Sequence, residues 1–147
     1  MQRIVAAVDH SEPSLRAVRL AADLAGKYGA ALVLLTVVRD AGAPDAGMEA
    51  FAAMEHIHEP VPALHIEAAR DGLSALRDSL MQQGSAKVTV EAAAGDPAEQ
   101  IIGFARDDRA DLIVLGSRGH GRLAGLLLGS VAQKVVALAG CPVLVVP

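Results

Sequence analysis

Residues Ala31 to Val38 read Ala-Leu-Val-Leu-Leu-Thr-Val-Val, a run that is apolar on both faces. A strand of that kind belongs inside a sheet covered on both sides, and such sheets are usually parallel with helices as their cover. The theme recurs in Ile4–Val8, in Leu112–Leu115 and in Val143–Val146. Lys87 to Ala93 alternates around Val88 and Val90 instead, which reads as a more peripheral strand.

Helical patterns fill the gaps between these runs. Ser11 is a favourable N-cap with Pro13 in the first turn, and Leu15, Val18, Ala22 and Ala25 form one apolar stripe that ends near Gly26 and Gly29. Ile66, Ala69, Leu73, Leu76 and Leu80 keep helical spacing from Ala63 to Gln83, with Gly84 as the stop. Asp96-Pro97-Ala98-Glu99 approaches a capping box, and Ile101, Ile102 and Ala105 face inward behind it. A last helix opens at Ser130, with Val131, Val135 and Leu138 on one side, and closes at Gly140 and Pro142. Arg39 to Pro62 carries Gly42, Pro44, Gly47, Pro60 and Pro62 and reads as a connection, with one helical turn near Met48–His56.

Five strands alternating with four helices predict an α/β fold, a doubly wound parallel sheet in one domain over residues 1–147. A hydrophobic share of 52% with aromatics at 2% means that Ala, Val, Leu and Ile must build the core. Few aromatics, a net charge of −4 and no basic cluster argue against nucleic-acid binding. The single cysteine, Cys141, fits a reducing compartment. The first residues turn acidic too soon for a signal peptide, and no apolar run approaches the ~20 residues that span a bilayer. A soluble cytoplasmic protein is expected.

After Leu112–Leu115 come Gly116, Gly119, Gly121, Gly125 and Gly129, and then the helix at Ser130. A strand, a glycine-rich turn and a helix start, in that order, supply main-chain donors and a dipole for an anion. Gly116, Gly119 and Gly129-Ser130 are spaced G-x2-G-x9-G-[ST]. That signature, with Val8-Asp9-His10-Ser11 near the amino end, resembles the universal stress protein family in its ATP-binding branch. The resemblance covers almost the whole chain and implies a Rossmann-like sheet of strand order 3-2-1-4-5. In that order Asp9, Val37-Val38 and Gly116 converge at the topological switch point, where such sheets hold ligands.

The resemblance also implies roles. Adenine would meet the backbone of Val37 or Val38, two residues otherwise suited only to the core. Asp9, flanked by Ala7 and Val8, would reach the ribose or the metal-bound phosphates, although aspartate also suits a plain turn there. Gly116, Ser117, Arg118, Gly119 and His120, with Gly129, Ser130 and Val131, would cradle the phosphates, largely through main-chain amides. Arg118 and Arg122 are secondary candidates. His10 departs from the family, where glycine is frequent. ATP with Mg²⁺ or Mn²⁺ held through its phosphates is the implied cofactor, and a homodimer through Val143–Val146 the implied assembly.

Other chemistries fit less well. There is no G-x4-G-K-[ST], and Gly119-x-Gly121 is not followed by a third glycine at the dinucleotide spacing. Asp111 starts its strand and so sits at the wrong end for a Walker-B carboxylate. His56, His58 and His65 suit surface positions better than a metal site, and Cys141 has no convincing histidine partner and suits a small buried hydrophobe. The expected role is a nucleotide-dependent stress-response module with no designated catalytic base. A slow ATPase or other nucleotide-processing enzyme, and a nucleotide-free dimerisation or chaperone-like protein, are the two alternatives.

Overall fold

The computed structural model describes residues 1–39, 62–84, 87–119 and 128–147. Met48–His56, His58, His120, Gly121, Arg122 and Gly125 lie outside the described residues. The chain runs β1 (Arg3–Ala7), α1 (Glu12–Tyr28), β2 (Ala31–Val38), α2 (Ala63–Gly72), α3 (Ser74–Gln82), β3 (Val88–Ala94), α4 (Pro97–Asp107), β4 (Leu112–Gly116), α5 (Ser130–Leu138) and β5 (Val143–Val146). The strands form one sheet in the order β3-β2-β1-β4-β5, and every neighbouring pair is parallel. The expected helix over Ala63–Gln83 is one arm in two segments, α2 and α3, broken at Leu73. Counting that arm once, four helical units flank five strands among the described residues, as the alternation of patterns predicted.

Two apolar layers sandwich the sheet. On one face Ile4, Ala6, Leu32, Leu34, Val88, Val90, Leu112 and Val114 pack against α1 and the α2–α3 arm. On the other, Val5, Val33, Leu35, Ile113 and Leu115 meet α4 and α5. Because β1, β2 and β4 alternate between two covered faces, they read as continuous apolar runs.

The helices fit the sheet with small residues. In α1 the buried side chains are Ser14, Ala17, Val18, Ala21, Ala22 and Ala25. The expected stripe through Leu15 is thus rotated, and Leu15 is only half-buried. Gly29, at φ 64°, closes α1 in the left-handed conformation that glycine adopts without strain, whereas Gly26 lies within the helix. In α5 Val135 is buried and Val131 packs half-buried against the same core, as expected, but Leu138 is 61% exposed and the other buried residue is Ala132. Asp96 caps α4 by accepting the Glu99 amide at 2.9 Å. The Glu99 carboxylate turns to Lys134 on α5 at 3.2 Å, which leaves Asp96 and Glu99 short of a reciprocal box.

No helix among the described residues is long and apolar enough to cross a membrane. The amino ends of β1 and β4 are held by one carboxylate. Asp111 accepts the amides of Gln2 at 2.5 Å and Arg3 at 3.0 Å, while Arg3 pairs with Asp108 at 2.6 Å. The Gln2 and Arg3 amides hold the Asp111 carboxyl below the usual carboxylate range. A depressed folded-state pKa contributes stability above the unfolded value of about 3.9, and that contribution fades as pH falls through the folded value. Asp111→Ala should therefore be less stable than the parent in urea at pH 7. The gap should narrow at pH 3.

Candidate functional site

At the carboxyl end of the sheet, β1 and β4 lie side by side and their following helices start on opposite faces. The closest approach is at Gly116, the last residue of β4. A Cβ built there would stand 2.7 Å from the Ser14 amide nitrogen and 2.8 Å from the Pro13 carbonyl carbon. Real Cβ atoms do not approach backbone so closely, so the first turn of α1 rests on a bare Cα.

Two serines fix that turn. Ser11 caps α1 by accepting the Ser14 amide at 3.3 Å, and its hydroxyl donates to the Arg118 carbonyl at 3.2 Å. Ser14 is buried, and its hydroxyl donates to the Ser11 carbonyl at 3.0 Å while accepting the Asp9 amide at 3.4 Å. Asp9 Oδ1 accepts the Ser11 amide at 2.9 Å, an Asx-type turn. Its Oδ2 lies against Gly119, where an added Cβ would be 2.5 Å away. His10, between them, adopts a left-handed φ of 62°. That conformation suits glycine, and histidine tolerates it better than a branched residue.

The loop after β4 returns to the same place. Ser117 is buried, its amide donating to Val146 on β5 at 2.7 Å. The Gly129 amide donates to the Ser117 carbonyl at 2.7 Å, so the loop closes on its own base before α5 begins. Gly129 is the N-cap residue at φ −70°, with no side-chain cap bond, and Ser130 is the first helical residue. Ser130 is therefore inside the helix and does not cap it. Among the described residues Gly116, Gly119 and Gly129 are all outside the positive-φ set, so close approach, not left-handed backbone, is what bare Cα atoms provide here.

On the far side of β1, the Val8 amide donates to the Leu35 carbonyl at 2.8 Å. Ladder groups alternate sides along a strand, so Val37 points its N–H and C=O toward that same crevice, past the end of β1. Val38 faces the other way, and its carbonyl accepts the Gly95 amide at 3.0 Å. Lys134 ties α5 to the start of α4 through Asp96 at 3.3 Å and Glu99. Burial pushes the Asp96 carboxyl up, but the Glu99 amide and the Lys134 ammonium together hold it below the ordinary value. Among the described residues there is no group of three or more His, Cys, Asp or Glu that could hold a metal ion.

The sequence pattern of the universal stress protein family matches residues 1–147. The chain belongs to the universal stress protein family. It is 35% identical over 145 residues to a universal stress protein of Methanocaldococcus jannaschii, covering 99% of this chain and 81% of that one. The universal stress protein UspA from Lactobacillus plantarum has the same fold, with a TM-score of 0.79 at 26% identity over 99% of this chain and 97% of that one. A crystal structure of a universal stress protein in complex with cAMP gives a TM-score of 0.68 at 27% identity, over 99% and 97%.

In this universal stress protein Asp9, Gly116, Ser117, Arg118, Gly119 and Gly129 come together through the contacts above, with Ala7 and Val8 leading in from β1. Ser130 and Val131 form the first turn of α5 beside them. Val37 lies across the crevice, and Val38 is turned away from it. Asp111 is at the opposite, amino end of the sheet, as its place before β4 implied. Cys141 is half-buried against the α5-side core, with a thiol pushed up by burial and then by the Asp111 charge. His65 is exposed on α2. Sequence reasoning gave Ser11 only a capping role and passed over Ser14. The signal was their spacing of three residues just after Asp9, one helical turn that puts the Ser11 hydroxyl on the Arg118 carbonyl and the Ser14 hydroxyl on the Asp9 turn. Because Gly116 abuts backbone rather than a flexible side chain, Gly116→Ala should destabilise the fold by about 1–3 kcal/mol, read as a lower urea midpoint at unchanged m-value.

Proposed function

We propose that this protein is an adenine-nucleotide-binding regulatory module of the stress response, with ATP as its ligand and Mg²⁺ or Mn²⁺ held through the phosphates. The observation that carries the reading is Gly129. A Cβ there would meet Arg118 Cα and Ser117 O only at 3.5 Å, an ordinary contact. Among the described residues no packing contact demands glycine at this helix start; glycine suits an N-cap, and a polyanion lying on the main chain would demand it. The cAMP complex of the structural relative supports an adenylate in particular.

Phosphates would lie over Gly116–Gly119 and Gly129–Val131, held by main-chain amides and the amino end of α5. Arg118 adds a cation to a chain whose net charge is −4. Val37 is the better of the two base readers, since its N–H and C=O offer one donor and one acceptor toward the crevice and adenine presents the complementary pair. Asp9 Oδ2, a hard oxygen beside the loop, fits the ribose or a divalent ion bound to phosphate; beside bare phosphates it would be repulsive. A nucleotide would then favour one arrangement of the loop, and the state of the loop is what a partner protein would read. Two copies would pair through the Val143–Val146 edge, in the cytoplasm. Among the described residues no side chain at the crevice is placed as a base for water, and hydrolysis is expected to be slow.

Gly129→Ala is the clean test, because Gly119→Ala would also displace Asp9. The added methyl should cost at least one charge-assisted contact, about 1.5–3 kcal/mol, or roughly 10- to 100-fold in affinity for Mg·ATP by calorimetry. Without ligand, stability should fall only by the cost of alanine in place of an N-cap glycine, about 1 kcal/mol, read as a small drop in melting temperature. Undiminished affinity would overturn the cradle, and rapid phosphate release by the parent that Asp9→Ala abolishes would favour an enzyme instead.

A further inference from the structure

The sheet has two edge strands, β3 and β5, and their outward main chains are treated differently. On β2 the Leu32 amide bonds the Lys87 carbonyl, so Lys87, Thr89, Glu91 and Ala93 turn their main-chain groups toward β2. Val88, Val90, Ala92 and Ala94 therefore turn theirs outward. Val90 is at the centre of this open row. Its carbonyl accepts the Arg70 Nε–H at 3.2 Å, and the same guanidinium lies 3.7 Å from Glu91 Oε1.

Arg70 cannot make both contacts without crossing the edge. It stands on α2, in the helical arm that packs through Leu73 and Leu80 on the same face as Val88 and Val90. Glu91, the next residue along β3, projects to the opposite face, the one that includes Ala93. The side chain therefore leaves one face, passes over the outward row at Val90 and is held by a carboxylate on the other. An added strand would need the Val90 carbonyl and the space the guanidinium fills.

At β5 the arrangement differs. The Ser117 amide bonds the Val146 carbonyl and the Ile113 amide bonds the Pro142 carbonyl, which turns the main chains of Val143 and Val145 outward. An arginine from α1 is present here as well, but Arg16 Nε donates to the Pro147 carbonyl at 2.8 Å, past the last strand residue. Among the described residues no side chain bonds the centre of that row, which suits it to strand pairing.

We propose that Arg70 closes the β3 edge to strand addition, so that a second copy of this chain joins the sheet through β5 and not through β3. This selection of an edge rests on the proposed β5 pairing only for what the open edge is used for. Inward-reaching charge over an exposed row is a known way to prevent edge-to-edge association.

The test compares the full chain with Val145→Pro, which removes an outward donor on β5, with Arg70→Met, which keeps the apolar stem, and with the double variant. Circular dichroism and melting establish that each is folded, and Arg70→Gln replaces Arg70→Met if that variant is not. Light scattering at 10–100 μM, a concentration range of roughly the order at which exposed edges associate, should give a dimer for the parent and a monomer for Val145→Pro. Arg70→Met should exceed a dimer, and the double variant should regain twice the monomer mass. A double variant that stays monomeric while folded overturns the role of Arg70. A dimeric Val145→Pro overturns the β5 pairing instead, and Arg70 is then judged by whether Arg70→Met raises the mass above its parent.

Discussion

The contact between the end of β4 and the first turn of α1 governs this molecule. Parallel strands β1 and β4 are neighbours at the point where the chain changes direction across the sheet, and the helices that follow them cover opposite faces. Their starts must share a small volume. Gly116 makes this feasible, since any side chain there would run into Pro13 and Ser14. With the Cα bare, Ser11 can reach the Arg118 carbonyl, and the loop, the helix start and the Asp9 turn become one hydrogen-bonded unit. The crevice is thus a consequence of how tightly two helix starts can be stacked on one sheet end.

At the crevice the conflict between polar groups and burial is resolved locally. Among the described residues the buried polar ones are Ser11, Ser14, Thr36 and Ser117. Ser11, Ser14 and Ser117 are bonded to main-chain groups of the site, so they add order where apolar residues would add only area. The charged residues do a different task. Asp111 and Arg3 hold the amino ends of β1 and β4, Lys134 joins α5 to α4, and Arg70 spans the β3 edge. Most of these pairs are exposed and contribute little each to stability; their value is in fixing where elements end.

The three signature glycines have three different physical causes. Gly116 is required by the fold, since backbone atoms of α1 occupy the place of its side chain. Gly119 is required by the Asp9 carboxylate. Gly129 meets only ordinary contacts among the described residues, so packing there does not demand glycine. A spacing pattern treats the three alike. Only distances separate the glycines that packing demands from the one it does not.

Much of the fold was legible because apolar periodicity directly encodes how many faces of an element are covered. The uninterrupted runs at β1, β2, β4 and β5, and the alternation at Val88 and Val90, set strand type and number. Proline and serine at Ser11–Pro13, and Asp96 with Pro97, set helix starts. What the pattern misjudged was phase: Leu15 and Leu138 looked like core, yet Ala17, Ala21 and Ala132 are the buried residues, because tight helix-to-sheet packing selects small side chains that a hydrophobicity pattern undervalues. The break at Leu73 and the capping of α5 by Gly129 were equally invisible, as both depend on how a helix end meets its neighbours. Strand order came only through the family resemblance, and the outward side of each edge and the side to which Val37, unlike Val38, turns its main chain belong to tertiary structure alone. They depend on which strands lie beside one another, and a linear sequence carries no direct record of that.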